Sequence, residues 1–232
     1  MVALSDKIRA VAFDLDNTLW DVDPVLARAE ERWLQWLREH CPRIPEQLTL
    51  DDMRNARMQL AAREPHKAHD FTYLRIASLA EHAREYGYDE SIAEAAFEIF
   101  ITARNQLDLY ADVRPGLHRL RARYALATLS NGNADLSRIG LADLFSVSLN
   151  ARGVGAAKPD RRCFERLVED LHLEPQEVIY VGDDPLLDVE AARTAGLATA
   201  WMNRTGQAWP ATVHPADIDV SDCVELASQL GT

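Results

Sequence analysis

The sequence predicts an α/β fold: a doubly wound parallel sheet with a block of helices inserted after its first strand. Three observations carry this. Short continuous apolar runs, the mark of strands buried on both faces, recur along the chain. Helical patterns separate them at the spacing of crossover connections. One long segment, from about Pro24 to about Leu109, has helical periodicity and no convincing strand.

The first strand is residues 8–14 (IRAVAFD), which ends on a carboxylate. Four helices are then expected, over residues 24–40, 50–62, 71–86 and 90–107. In the first, Leu26, Ala29, Trp33, Trp36 and Leu37 recur at helical spacing, so both tryptophans read as core. Beyond residue 110 the alternation is regular: helix 115–123, strand 124–130 (YALATLS), a further strand 146–150, helix 161–171, strand 177–181 (EVIYV), helix 186–195 and strand 197–202 (LATAWM). The tail, 217–230, reads as a short strand and a closing helix. Residues 1–19 and 110–232 would form the core and residues 20–109 an inserted four-helix cap. There is no internal repeat and no low-complexity tract.

The 232 residues carry a formal charge of −12 and include 47% apolar residues. That is ordinary for a water-soluble chain. With no basic cluster, a nucleic-acid partner is not expected. Neither a leader nor a long uncharged apolar stretch is read, so no membrane span is expected. Cys41, Cys163 and Cys223 are far apart and fit no zinc spacing, which makes a reducing cytoplasm the expected location.

The chemistry lies at the strand ends. Asp14 and Asp16 straddle the carboxyl end of the first strand, where open parallel sheets bind ligands. Two anions so close repel unless a cation intervenes. A second acidic group, Asp183, Asp184 and Asp188 in VGDDPLLD, follows the EVIYV strand. Adjacent strands would let Asp14, Asp16 and Asp183 form an oxygen-rich site suited to Mg²⁺. A calcium loop of the EF-hand type is excluded, because Thr18, Leu19 and Val25 stand where its Asp, Gly and closing Glu belong. Asp184 is as well placed to cap the next helix as to touch a metal.

Other motifs are weaker alone. Ser130 and Asn131, in LSNGNADL, would either bind a phosphoryl oxygen or make a turn around Gly132. Lys158, before Pro159, can balance the aspartates and hold a phosphate. Gly153 and Gly155 lack the rest of a dinucleotide fingerprint. His66 and His69 have no third ligand and read as a solvated face. Trp20 would stack on a substrate ring or pack internally.

Taken in order, D-x-D-N-T from Asp14, S-N-G from Ser130, K-P from Lys158 and G-D-D-x-x-x-D from Gly182 resemble the haloacid dehalogenase superfamily, in its phosphatase branch with a helical cap. DVDPVLARAEE, IGLADLFS and YVGDDPLLDV are similar to a bacterial group that dephosphorylates flavin mononucleotide and the phosphorylated ribitylaminouracil of riboflavin synthesis. The resemblance implies that Asp14 is the nucleophile, forming an aspartyl-phosphate, and that Asp16 is acid then base. It implies Mg²⁺ on the Asp14 side chain, the Asp16 carbonyl and Asp183, with Asp188 holding that shell. It also implies that Ser130, Asn131 and Lys158 hold the transferring phosphoryl group. Asp184 departs from the small hydroxyl residue of many relatives. The implied partner is a small phosphorylated metabolite, on a monomer or homodimer. The alternatives are a dehalogenase, which lacks the second aspartate, a phosphomutase, or a non-catalytic binding or regulatory relative.

Overall fold

The computed structural model describes residues 4–232. One helical turn, α1 (Leu4–Lys7), precedes strand β1 (Ala10–Phe13). Then come the helices α2 (Asp23–His40), α3 (Arg43–Gln47), α4 (Leu50–Arg63), α5 (Phe71–Glu85) and α6 (Ile92–Arg104). The rest of the chain alternates: α7 (Val113–Arg121), β2 (Ala125–Ser130), α8 (Leu136–Ile139), β3 (Val147–Asn150), α9 (Ala151–Val154), α10 (Arg161–Leu171), β4 (Val178–Gly182), α11 (Ala191–Thr194), β5 (Ala198–Met202), β6 (Ile218–Val220) and α12 (Cys223–Gln229).

The chain forms two compact units. The α/β unit takes the residues up to Asp21, Asp108–Gly132 and Leu136–Thr232; the helical unit takes Val22–Leu107 and Asn133–Asp135. The α/β unit is built on one six-stranded sheet in the order β3-β2-β1-β4-β5-β6. Every strand pair is parallel. From β1 the chain goes first to β2 and β3 on one side, then back to β4 on the other. The carboxyl end of β1 is therefore a topological switch point, where such sheets bind ligands. All four residues of β1 are buried, which explains the uninterrupted apolar run. Ala10, Ala12, Phe164, Leu167 and Tyr180 belong to the core on which α10 packs.

In the helical unit, α2 buries Val25, Ala29, Trp33 and Leu37, four residues apart on one stripe. Thr49 and Asp52 make a reciprocal capping box at the start of α4: Asp52 N donates to Thr49 Oγ1 at 3.1 Å and Thr49 N to Asp52 Oδ2 at 2.9 Å. Asp70 caps α5 by accepting from Tyr73 N at 2.9 Å. To the four long helices the structure adds a fifth, α3, only five residues long. Its Pro45 lies in the first turn, where no intrahelical donor is required. Trp33 lies in the core as expected. Trp36 is partly buried, packs against the same core and stacks on His40, with ring centroids 4.2 Å apart.

Among the described residues no helix is long and apolar enough to cross a membrane. Cys41, Cys163 and Cys223 are buried free thiols. Burial pushes their pKa values up to about 11, 11 and 12.

Candidate active site

Asp14 follows β1 directly, and its backbone N–H donates to Val181 O at 2.8 Å, extending the pairing with β4 past the strand. This register brings Asp14 beside the chain leaving β4. There, carboxylate oxygens of Asp14, Asp183 and Asp188 all lie within 4.8 Å of one another. Asp188 is carried on a π-helical segment, Pro185–Glu190, an uncommon geometry that often marks functional sites. Its Oδ2 accepts from the Asp184 N–H at 3.0 Å.

Lys158 enters this cluster from the segment before α10. Its Nζ donates to Asp14 Oδ1 and Asp188 Oδ1, both at 2.6 Å, and to the Tyr180 hydroxyl at 2.9 Å. The Tyr180 hydroxyl in turn donates to Leu129 O at 2.6 Å. Burial works against the ammonium, but Asp14 and Asp188 outweigh it and hold its pKa well above the ordinary value. Burial drives Asp14 up to about 8, with Asp188 adding to it and Lys158 opposing. Burial and Asp188 drive Asp183 up to about 7. Three carboxylates against one ammonium leave two negative charges in a desolvated place, which is costly without compensation. A hard divalent cation supplies the missing charge and prefers this all-oxygen donor set. The residues present therefore fit Mg²⁺.

The Asp16 carboxylate is not part of the cluster. Its Oδ1 accepts from Trp20 Nε1 at 2.7 Å across a tight turn in which Asn17 takes a left-handed φ of 60°. Asn tolerates that conformation better than most residues. Trp20 is fully buried, so it packs internally and orients Asp16.

Ser130, at the end of β2, is buried, and its Oγ accepts from Gly132 N at 3.1 Å, which is the turn geometry. Its own O–H remains a donor. Asn131 differs from the expectation. Its amide clamps the backbone of Lys158, with Lys158 N donating to Oδ1 at 2.7 Å and Nδ2 donating to Lys158 O at 3.0 Å. The side chain thus positions the lysine. Asp184 caps the next segment, accepting from Leu186 N at 2.7 Å and Leu187 N at 2.8 Å. His66 and His69 belong to no three-residue metal-capable cluster among the described residues.

Two contributors escaped the sequence reading, Trp20 as an orienter and Tyr180, while Gly182, the head of the G-D-D-x-x-x-D motif, finds its physical reason here. A Cβ at Gly182 would lie 2.2 Å from Asp188 Oδ2, so only glycine lets Asp188 reach the cluster. Gly182→Ala should cost on the order of 1–3 kcal/mol from overpacking. It should lower the thermal midpoint by several degrees and reduce turnover together; an unchanged midpoint would contradict this packing.

Residues 8–196 match the model of the haloacid dehalogenase-like hydrolase family. A 5-amino-6-(5-phospho-D-ribitylamino)uracil phosphatase of Escherichia coli is 28% identical over 230 residues, covering 96% of each chain. A crystal structure titled 2-haloacid dehalogenase, from Pseudomonas syringae, superposes with a TM-score of 0.92 at 32% identity, covering 96% of this chain and 98% of that one. A haloacid dehalogenase-type phosphatase from Thermococcus onnurineus superposes with a TM-score of 0.69 at 26% identity, covering 97% of this chain and 98% of that one.

Proposed function

Because the chain belongs to the haloacid dehalogenase-like hydrolase family, we propose that it hydrolyses phosphate monoesters of small metabolites, with Asp14 as nucleophile. The observation that carries the reading is the meeting of Asp14, Asp183 and Asp188 at the switch point of the sheet, with Lys158 paired to Asp14 and Asp188. The relative that dephosphorylates a phosphorylated ribitylaminouracil makes that compound and flavin mononucleotide the first substrates to test. Such substrates imply a cytoplasmic enzyme.

In this mechanism an Asp14 oxygen attacks phosphorus, the phosphorus–oxygen ester bond breaks, and the phosphoryl group is left on Asp14. Asp16 gives its proton to the departing alkoxide. As a carboxylate it then takes a proton from water, whose oxygen attacks the same phosphorus and frees Asp14 and inorganic phosphate. Lys158 and the Ser130 hydroxyl hold phosphoryl oxygens, and Asn131 holds Lys158. The Asp14 side chain, the Asp16 carbonyl and Asp183 would hold Mg²⁺, with Asp188 steadying them. When bound, the ion neutralises charge on the phosphoryl oxygens. The Trp20 N–H, donated to Asp16 Oδ1 at 2.7 Å, orients the carboxyl group that carries the transferred proton.

Asp16→Asn separates this role from binding. It should slow alkyl phosphates by roughly two to four orders of magnitude, the usual size of acid–base assistance. Esters with good leaving groups, such as p-nitrophenyl phosphate, should suffer less in the first step. Equal losses on both would remove Asp16 from the acid role.

The metal assignment has a pH signature. An acid whose folded pKa lies above its unfolded value favours folding only while protonated. From the ordinary 3.8 to about 7 for Asp183 and about 8 for Asp14, metal-free protein should thus lose stability as pH rises through that window. Mg²⁺ competes with protons for the same oxygens. Its stabilising effect on the melting temperature should be larger at the alkaline end of the window than at the acid end, and EDTA should abolish turnover. A melting shift that ignores pH, or activity that survives chelation, would overturn the assignment.

The superposed 2-haloacid dehalogenase favours a second reading, hydrolytic dehalogenation. Halide leaves without a proton, so Asp16 would then have no task. Halide release from 2-chloropropionate, with no phosphate release from any ester, would establish that reading instead.

A further inference from the structure

The helical unit holds a cavity of about 410 Å³ that the chemistry above does not use. Arg54, Arg57, Arg75, Met58, Phe71 and Phe100 are among its lining residues. The three guanidiniums surround one buried carboxylate, Glu30. Arg54 pairs closely with it and also reaches the exposed Asp51 at 2.8 Å. Arg57 and Arg75 stand 3.7 and 3.8 Å from Glu30 Oε1, beyond hydrogen-bonding range. Arg75 lies over the Phe100 ring, 3.5 Å from its centroid, and its buried Nη1 meets no hydrogen-bond partner among the described residues. Burial and the neighbouring Arg57 lower its pKa to about 9.

A network that served only to neutralise Glu30 would need one cation. Here two more are held close by, partly desolvated, with donors to spare. Apart from Asn133 the rest of the lining is apolar, and Met58 and Phe71 are 63% and 49% exposed, so a ligand entering the cavity would bury them.

We propose that this cavity binds a small organic oxyanion: a carboxylate or phosphate group on an apolar, unsaturated body. The forked guanidiniums of Arg57 and Arg75 match two oxygens of such a group. Phe71 and Met58 would cover the body. The ligand is a separate small metabolite of that chemistry, held within the helical unit. The inference goes beyond the phosphatase reading and stands without it.

Calorimetry on the full chain tests it without turnover. Naphthalene-2-carboxylate should bind roughly tenfold or more tighter than its neutral amide, the usual worth of a charge-assisted contact. Arg57→Gln should weaken the carboxylate by a similar factor, and Arg57→Lys by less. Phe71→Ala, at a half-exposed position, should weaken both probes. Equal affinity for acid and amide, no binding of either, or unaltered affinity in folded Arg57→Gln would overturn the proposal. Competition of the carboxylate with p-nitrophenyl phosphate would overturn a separate site, and binding without competition supports it. A failed phosphatase reading would appear instead as absent hydrolysis, with the calorimetry unaffected.

Discussion

Asp14→Asn will fold and will turn over phosphate esters at least roughly a thousandfold more slowly, the scale on which loss of a nucleophile acts. Asparagine keeps the shape of the side chain but cannot attack phosphorus. It also removes one of the three clustered carboxylates, one of the two that pair with Lys158. The variant should therefore be no less stable than the parent in metal-free buffer at mildly alkaline pH, where the ionised cluster is most strained. Rapid-quench experiments should find no acid-stable phosphoryl group on the protein. If turnover stays within tenfold of the parent, Asp14 is not the nucleophile. Inactivity with a lower melting temperature would point instead to a structural role.

Lys158→Met is expected to have the largest effect on stability. Its Nζ is the donor shared by Asp14, Asp188 and Tyr180, and the group is buried. Removing one partner of a buried ion pair costs about 3–5 kcal/mol, because the other charges stay behind. For a chain of this size that corresponds to a fall in melting temperature of roughly ten degrees. The carboxylates would answer by binding protons, so their folded pKa values would rise further. The deficit should then be small in acid and grow as pH rises through neutrality, where the unfolded carboxylates have already ionised. Urea midpoints at pH 5 and pH 8 measure this difference. A deficit equal at both would mean that the carboxylates do not depend on the lysine. Mg²⁺ should recover part of the stability but little of the activity, since the donor to the phosphoryl oxygens is gone.

The strands were legible because a strand covered on both faces has no polar side, so β1, β2, β4 and β5 stand out as apolar runs. The long helices were legible from their stripes, with ends within one residue of the expected bounds for three of them and displaced by two or three residues for Ile92–Arg104 against an expected 90–107. The helix Arg43–Gln47 was not, since five residues are too short to show a period. Asp14 and Asp183 were readable because carboxylates at the ends of apolar runs demand compensation, whereas Asp188 was placed only by the family resemblance and the Asp16 carboxylate, expected beside them, turns to Trp20. Tyr180 was not, because its hydroxyl is hidden in a strand that reads as core. Trp20 was ambiguous because its role depends on a turn through Asn17 that local pattern does not specify. Asn131 read as a phosphoryl contact or a turn residue; its grip on Lys158, 27 residues away, was not legible because such long-range pairing has no local signal.

The three buried sulfurs have a practical use. Their raised pKa values leave almost no thiolate at neutral pH, and alkylating reagents attack only that form. Cys41 lies in the core of the helical unit, Cys163 in the core of the α/β unit, and Cys223 at the head of α12. Each therefore stays silent toward iodoacetamide until its own surroundings open. Mass spectrometry of timed labelling would give separate opening rates for the two units in one unmodified chain, with no engineered reporter.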